Sequence, residues 1–399
     1  MSAKMEQKAY IWQRVWDARV KASVLENTKN IDGLTVLFAE FHPADGLDYF
    51  QADIDYNALK LRALPAVLAL RLNLAPEYNV SRSFNSGFKI WVSKAIETAR
   101  ENGVDPVALE IDFDCPTSQL DAYSEELRDL RKYLGGVPLS ITTLPTWMQR
   151  PDAFRQLVEA TDHFVLQAHS IKRPETFDDA VALCEREQSL KWTKQAASFG
   201  VPFHVALPTY AYRLAFDSEG KLVEVSGENA SLMQNPDWRY RVIRSGPKLM
   251  AALVQSIEAH AYPNCEGIIW YRLPIGKERY NWDNLTWHAV MDGTIDDPDW
   301  QTFAVPQEDG AVEIQIELKT PTASKPPMEV RLTWAEGTAL AWDGQRNYQV
   351  LTNTDHGLTW KWSSETLMPE LSTQTRWTIG WVRFDRKAKL QITTFQSDD

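Results

Sequence analysis

The 399-residue chain has three cysteines, Cys115, Cys184 and Cys265, too few and too scattered for a disulfide framework or a cysteine metal cluster. It has no apolar run approaching the roughly 20 residues that a membrane-spanning helix needs. It has no basic excess either. Its formal net charge of -12 disfavours nucleic acid, which needs a basic footprint on the phosphates. The first β-rich run is followed by Trp16-Asp-Ala-Arg-Val, where a dinucleotide-binding sheet would carry a glycine-rich turn. The paired His-x-His or His-x-x-x-His spacings that often mark catalytic metal sites are missing. The opening Met-Ser-Ala-Lys-Met-Glu-Gln-Lys has no apolar signal region, so the expectation is a cytoplasmic protein, or a periplasmic one if a leader lies outside the chain.

What remains is a globular composition, 44% hydrophobic and 24% charged, on a chain long enough for two domains. Short β-rich runs alternate with helical patterns eight times between residues 9 and 295. The runs are 9–16, 34–41, 65–73, 108–115, 138–144, 163–170, 202–210 and 267–273. Leu120, Tyr123, Leu127 and Leu130 follow helical spacing, with Ser118 as a candidate cap. Eight such units over about 290 residues predict a (β/α)8 barrel, in which strands pair in parallel through right-handed crossovers. Between strands seven and eight, 212–216 and 222–225 flank Asp-Ser-Glu-Gly-Lys and read as a small hairpin. From about residue 300 the helical period disappears. Residues 310–318, 328–334, 359–363 and 375–395 alternate instead, which predicts a barrel over 1–299 and an antiparallel β domain, a small sandwich, over 300–399. Six of the sixteen tryptophans fall in that last stretch, where Trp360 and Trp362 share a face and suit a sandwich core.

The stretch Ala108-Leu-Glu-Ile-Asp-Phe-Asp-Cys115 carries the most chemical information. Side chains alternate across a strand, so Glu110, Asp112 and Asp114 share one face, while Leu109, Ile111 and Phe113 make the other apolar. On a one-sided sheet these acids would be ordinary solvated positions. In a barrel covered by helices they must point inward or upward, where like charges need a partner. The same phase rule collects other residues at the carboxyl ends of the strands, the face where such barrels work. It gathers Trp12, Arg14 and Trp16 from strand one, Glu40 from strand two, and Arg71 and Asn73 from strand three. Gln167 and His169 come from strand six, Tyr210 from strand seven, and Trp270 and Arg272 from strand eight. Arg14, Arg71 and Arg272 are expected to pair with Glu40, Glu110 and Asp112, leaving Asp114 as the acid free for chemistry.

Glu110-Ile-Asp112-Phe-Asp114 on a fourth barrel strand resembles the acid strand of family 18 glycoside hydrolases, the chitinase-like barrels, whose motif runs Asp-x-x-Asp-x-Asp-x-Glu. The resemblance sets Asp114 at the proton donor, with Val107 where the first acid would fall and a donor one methylene short. Gly267-Ile-Ile-Trp270-Tyr is similar to their last strand, which implies a tryptophan under the reactive sugar, and Gln167-Ala-His169 stands where they carry a tyrosine. More of the chain resembles a bacterial family catalogued only as a domain of unknown function. Trp12-Gln-Arg-Val-Trp16, Ile111-Asp-Phe-Asp-Cys115, Pro138-Leu-Ser-Ile-Thr-Thr-Leu-Pro145, Ala206-Leu-Pro-Thr-Tyr210 and Gly267-Ile-Ile-Trp-Tyr-Arg-Leu-Pro274 carry that likeness. It implies the barrel and no established activity.

Three functions fit. The leading one is hydrolysis of glycosidic bonds in an oligosaccharide or polysaccharide, without cofactor or metal. Asp114 would be the general acid, kept protonated by Asp112, with Glu40 the best second carboxylate and Tyr210 orienting the opposite face. Trp16 and Trp270 would stack on sugar rings, and Trp12, Arg14, Arg71, Asn73, Gln167, His169 and Arg272 would complete the binding surface. The second is metal-assisted hydrolysis, such as deacetylation, with Asp112, Asp114 and His169 as ligands. The third is a barrel that binds glycans without cutting them.

Overall fold

The computed structural model describes residues 5–44, 46–73, 79–169, 173–227, 235–276, 278, 280–320, 326–363 and 376–395. Eight parallel strands form a closed barrel. In chain order they are Glu6–Ile11, Gly33–Ala44, Ala66–Leu72, Ala108–Asp112, Leu139–Thr143, His163–Gln167, Phe203–Pro208 and Cys265–Tyr271, called strands one to eight below. Strand one closes the ring by pairing with strand eight (Glu6 opposite Gly267) and with strand two (Lys8 opposite Gly33). Gly267 makes that closure possible, because a Cβ there would lie 2.1 Å from the carbonyl oxygen of Glu6. A further strand, Gly46–Gln51, folds back antiparallel on strand two.

Helices cover the outside through one buried stripe each. Helix Ser86–Glu101 buries Phe88, Trp91, Val92, Ala95, Ile96 and Ala99, and Asn85 caps it by accepting from the Phe88 N–H at 3.0 Å. Helix Leu120–Leu130 buries Leu120, Tyr123, Leu127 and Leu130, the four residues its period predicts. Ser118 does not cap it. The residue lies inside a 3-10 turn, Thr117–Gln119, that leads directly into the helix and leaves no extended cap position. Phe113 faces this outer layer, edge-on to Phe84 and Tyr123 at 5.8 and 5.1 Å. The interior is layered instead. Its midsection is Tyr10, Trp12, Leu37, Ala69, Val165, Ala206 and Ile269, with Tyr271 packed against them.

The chain divides into two compact units. One is Met1–Tyr212, Ser226–Ala230 and Ile243–Asn284; the other is Arg213–Val225, Ser231–Val242 and Leu285–Asp399. The insertion between strands seven and eight is a three-stranded sheet, with Ala211–Phe216 central between Leu222–Ser226 and Arg239–Arg244. The third of these strands has no clear alternation in the sequence.

The last hundred residues fold into two four-stranded antiparallel sheets. One orders Trp300–Pro306, Ala311–Leu318, Arg376–Phe384 and Ala339–Gly344; the other orders Tyr348–Thr354, Gly357–Trp362, Glu329–Trp334 and Leu390–Phe395. Their core holds Trp334, Trp360 and Trp362 with Ile314, Ile316, Leu332 and Ile379, and Trp342 and Trp377 pack on it partly buried. Gly380 leaves room for the Trp360 indole, since a Cβ there would lie 2.4 Å from its Nε1. Among the described residues, no helix is long and apolar enough to cross a membrane.

Candidate functional site

Strand four supplies the acids, and each meets a different environment along it. Glu110 is deepest, with only 1% of its surface exposed. It accepts hydrogen bonds from the Tyr10 hydroxyl at 2.7 Å and the Ser140 hydroxyl at 3.3 Å. Among the described residues, no arginine reaches it in a hydrogen bond or ion pair, contrary to the sequence expectation. Burial pushes its pKa up to about 8, with Asp112 adding to the shift and the two hydroxyls opposing it. Asp112, at the end of the strand, is committed through both oxygens: Oδ2 to Arg71 Nη1 at 3.0 Å and Oδ1 to the Thr142 hydroxyl at 2.7 Å. Asp114 follows in the loop just beyond and is exposed. It makes no hydrogen bond or ion pair among the described residues. Enough protein surrounds it to weaken its solvation, which raises its pKa; Asp112 adds to the rise and Arg71 opposes it.

Arg71 ties the rim together. Its Nη1 holds Asp112, its Nε donates to Asn73 Oδ1 at 3.0 Å, and its guanidinium lies over the Trp12 ring at 5.8 Å. Burial disfavours its charge, but Asp112, Tyr271, Asp114 and Glu40 outweigh that and hold it protonated. Glu40 is itself buried and engaged by Arg14, one of the three arginines expected to partner these acids.

Opposite these charges stands an aromatic wall. Tyr271 sits 5.4 Å from Trp12, 5.5 Å from the near-parallel His169 ring and 5.6 Å from Tyr210. His169 Nδ1 is 3.1 Å from the Tyr210 hydroxyl, which in turn donates to the Tyr212 hydroxyl at 3.4 Å. Burial pushes the His169 pKa down to about 4, so the ring is neutral near pH 7. Its Nε2 is buried without a partner among the described residues. Gln167, half-buried, ends strand six below His169.

Three expected residues fall elsewhere. Trp270 is fully buried on the outer face of strand eight, its indole N–H donating to Gln7 Oε1 at 2.7 Å and its ring 6.1 Å from Trp282. Tyr271 takes the inward position instead. The run Gly-Ile-Ile-Trp-Tyr is apolar on both faces, so alternation alone cannot set its phase. Arg272 pairs with Glu278 at 3.0 Å rather than with a strand-four acid. Trp16 lies past the end of strand one, 4% exposed, with its backbone N–H on the Asp53 carbonyl. Asp112, Asp114 and His169 do not bring their donor atoms together as metal ligands. The described residues contain one such cluster, at the other end of the barrel.

Tyr10 and Tyr271 complete the site although the phase rule passes over them. Tyr10 could have been found two residues before Trp12 on the same face.

A closed ring of eight parallel strands covered by helices, with its polar rim at the carboxyl ends, is a TIM-type barrel. The chain belongs to the family described as Domain of unknown function (DUF3142), whose sequence model matches residues 62–276. Among solved structures it is similar to a chitinase from Chromobacterium violaceum, with a TM-score of 0.51 and 14% identity over 73% of this chain and 100% of that one. It is also similar to the Bacillus cereus spore cortex-lytic enzyme SleL, with a TM-score of 0.49 and 13% identity over 73% of this chain and 74% of that one. The Ostrinia furnacalis Group II chitinase catalytic domain 2 gives a TM-score of 0.48 and 13% identity, covering 74% and 98%. At these identities the likeness is one of fold. No curated protein matches the chain.

Proposed function

We propose that the barrel is a carbohydrate-active hydrolase in which Asp114 protonates the departing glycosidic oxygen. One observation carries this reading: at the end of strand four Asp112 is fully committed to Arg71 and Thr142, while Asp114, just beyond, is exposed, has no partner among the described residues and has a raised pKa. A general acid needs a carboxyl whose pKa is shifted upward and which stands beside open solvent, and the direction of the Asp114 shift is the one required. Trp12 and Tyr271 take the stacking role expected of Trp16 and Trp270, because they line the interior next to Arg71. Arg71 and Asn73 offer hydrogen bonds to sugar hydroxyls, and Tyr210 is held by His169 beside Tyr271.

The second carboxylate of a two-acid mechanism is the weaker part. Glu40 is buried under Arg14, which suits a structural ion better than a base or nucleophile. A substrate carrying its own acetamido group would supply that function, so N-acetylated sugars are the preferred substrate class. The same pairing of Glu40 favours one competing reading, a glycan-binding barrel without turnover. A screen of labelled oligosaccharides, N-acetylated and not, run on the wild type and on Asp114→Asn, separates them. Turnover that collapses in the variant while binding persists supports hydrolysis. Equal binding by both proteins and turnover by neither supports the binding barrel.

A further inference from the structure

At the amino ends of strands six to eight, His163, His204 and Glu266 bring their donor atoms within 4.8 Å of one another. His163 opens strand six, His204 is the second residue of strand seven, and Glu266 the second of strand eight. The pairing of strands seven and eight slips between Cys265 and Gly267, leaving Glu266 as the extra residue of a bulge. Bulges re-aim side chains, and here the carboxylate reaches both imidazoles.

His204 Nδ1 lies 2.7 Å from His163 Nε2, His163 Nε2 lies 3.2 Å from Glu266 Oε2, and His204 Nδ1 lies 3.9 Å from the same oxygen. On its far side, His204 Nε2 is 3.0 Å from Glu6 Oε2, an oxygen that Lys8 Nζ also holds at 2.7 Å. A carboxylate paired with an ammonium only accepts hydrogen bonds, so His204 carries its proton on Nε2 and aims the Nδ1 lone pair at His163 and Glu266. A histidine oriented by a carboxylate behind it, with its other nitrogen aimed at a second imidazole and a carboxylate, is the usual preparation of a metal ligand.

We propose that His204 Nδ1, His163 Nε2 and a Glu266 carboxylate oxygen bind one divalent transition-metal ion of the zinc type. Tetrahedral zinc at about 2.0–2.1 Å from its ligands sets donors about 3.3 Å apart. The three separations here straddle that value, so closure on an ion needs movements of about half an ångström. His204, 1% exposed, is the fixed point; the His163 and Glu266 side chains, 22% and 44% exposed, can adjust and leave a fourth position to water. Two carboxylates, Glu6 and Glu266, face the one ammonium of Lys8, and the excess of acids suits a cation. Two imidazoles and one carboxylate favour zinc-like ions over magnesium or calcium, which prefer all-oxygen shells. Glu6 is the supporting group behind His204. The site stands on the amino face of the barrel and is independent of the reading of Asp114.

Calorimetric titration of the chelator-stripped full chain with zinc, and the visible spectrum on adding cobalt(II), test it without any activity. One ion per chain is expected, with the strong absorption of four-coordinate cobalt. His163→Ala and Glu266→Gln should each weaken zinc at least tenfold, and together abolish it. Glu6→Gln should weaken it by about 10–100-fold while leaving the ligands in place. His163 and Glu266 are partly exposed, and melting of the metal-free variants checks that they fold. No stoichiometric binding by the wild type, binding that survives the double substitution, or binding lost only in Cys265→Ser would each overturn the proposal.

Discussion

At the carboxyl ends of the barrel strands the acids are matched by arginines, and at the amino ends by imidazoles and a lysine. On the rim, Arg71 holds Asp112 and Arg14 holds Glu40. At the opposite mouth, His204 and Lys8 share Glu6, and His163 holds Glu266. Guanidinium stays charged at every relevant pH and only donates, so rim pairing is permanent and, among the described residues, leaves Asp114 as the exposed acid beyond strand four without an ion-pair partner. Imidazole carries a lone pair that guanidinium lacks, so the proposed cation site falls at the amino mouth. The two proposals together give one barrel a proton-transfer face and a metal-accepting face, with Tyr10, Ala69, Val165, Ala206 and Ile269 packed in its interior.

The sharpest way to break this contrast is at Asp114. Asp114→Asn keeps the shape and removes the proton, so glycan turnover should fall by about 10²–10⁴-fold while binding persists. Unchanged turnover, measured on whichever oligosaccharide the wild type cleaves, removes Asp114 from the mechanism and leaves the rim a binding surface.

The division between faces was only half legible in the sequence. Alternation placed Glu110, Asp112 and Asp114 on the inner side because Leu109, Ile111 and Phe113 gave strand four an unambiguous apolar face. Strand eight has no such face, and its phase stayed hidden until the partners of Trp270 and Tyr271 could be seen. Matching charges at the strand ends set Arg14, Arg71 and Arg272 against Glu40, Glu110 and Asp112 as groups, but which arginine meets which acid, Arg71 on Asp112 and Arg14 on Glu40, was not readable. The amino-mouth cluster was not readable either, because Glu6, His163, His204 and Glu266 are far apart in sequence, and a bulge that no local signal marks brings Glu266 in. In the C-terminal sandwich, Ala311–Leu318 and Glu329–Trp334 were readable from alternation. Trp300–Pro306 and Tyr348–Thr354 were not, since many of their residues are exposed on both faces and carry no period.

Next in size is the arginine itself. Arg71→Leu removes the cation facing Asp112, whose side chain is only 10% exposed. Leaving a largely buried carboxylate unpaired should destabilise the barrel by about 3 kcal/mol, read from denaturant unfolding near neutral pH. The loss should shrink in the double variant with Asp112→Asn, which no longer carries the stranded charge. A double variant as unstable as Arg71→Leu would mean that packing against Trp12, not charge, is what the guanidinium supplies.

Glu110 lies between the two faces and belongs to neither pairing scheme. Its pKa is raised from 4.5 to about 8, so the folded state keeps a proton that the unfolded state has lost over that interval. The sign follows: its contribution to stability is complete below about pH 4.5 and is lost as the pH rises towards about 8, at up to about 1.4 kcal/mol per pH unit. Glu110→Gln still accepts from Tyr10 and Ser140 but cannot ionise. Its melting temperature should therefore match the wild type at the acid end and exceed it increasingly towards pH 8. Parallel melting profiles across the window would mean that Glu110 ionises in place, with water or a cation inside the barrel.

The smallest expected effect is at Lys8, the amino-mouth counterpart of Arg71. Its ammonium and Glu6 are 24% and 45% exposed, so their pair is solvated and should contribute within about 1 kcal/mol to stability. Lys8→Met should unfold almost as the wild type does, against the roughly 3 kcal/mol expected for Arg71→Leu. Its effect on metal should run the other way. The ammonium shares Glu6 Oε2 with His204, withdrawing charge from the carboxylate that orients the ligand, and it repels a dication directly. Removing it should tighten zinc by up to about fivefold, the equivalent of about 1 kcal/mol. Weaker zinc binding in Lys8→Met would show that the lysine holds Glu6 in position, and that at this mouth, as on the rim, a permanent cation is part of the framework.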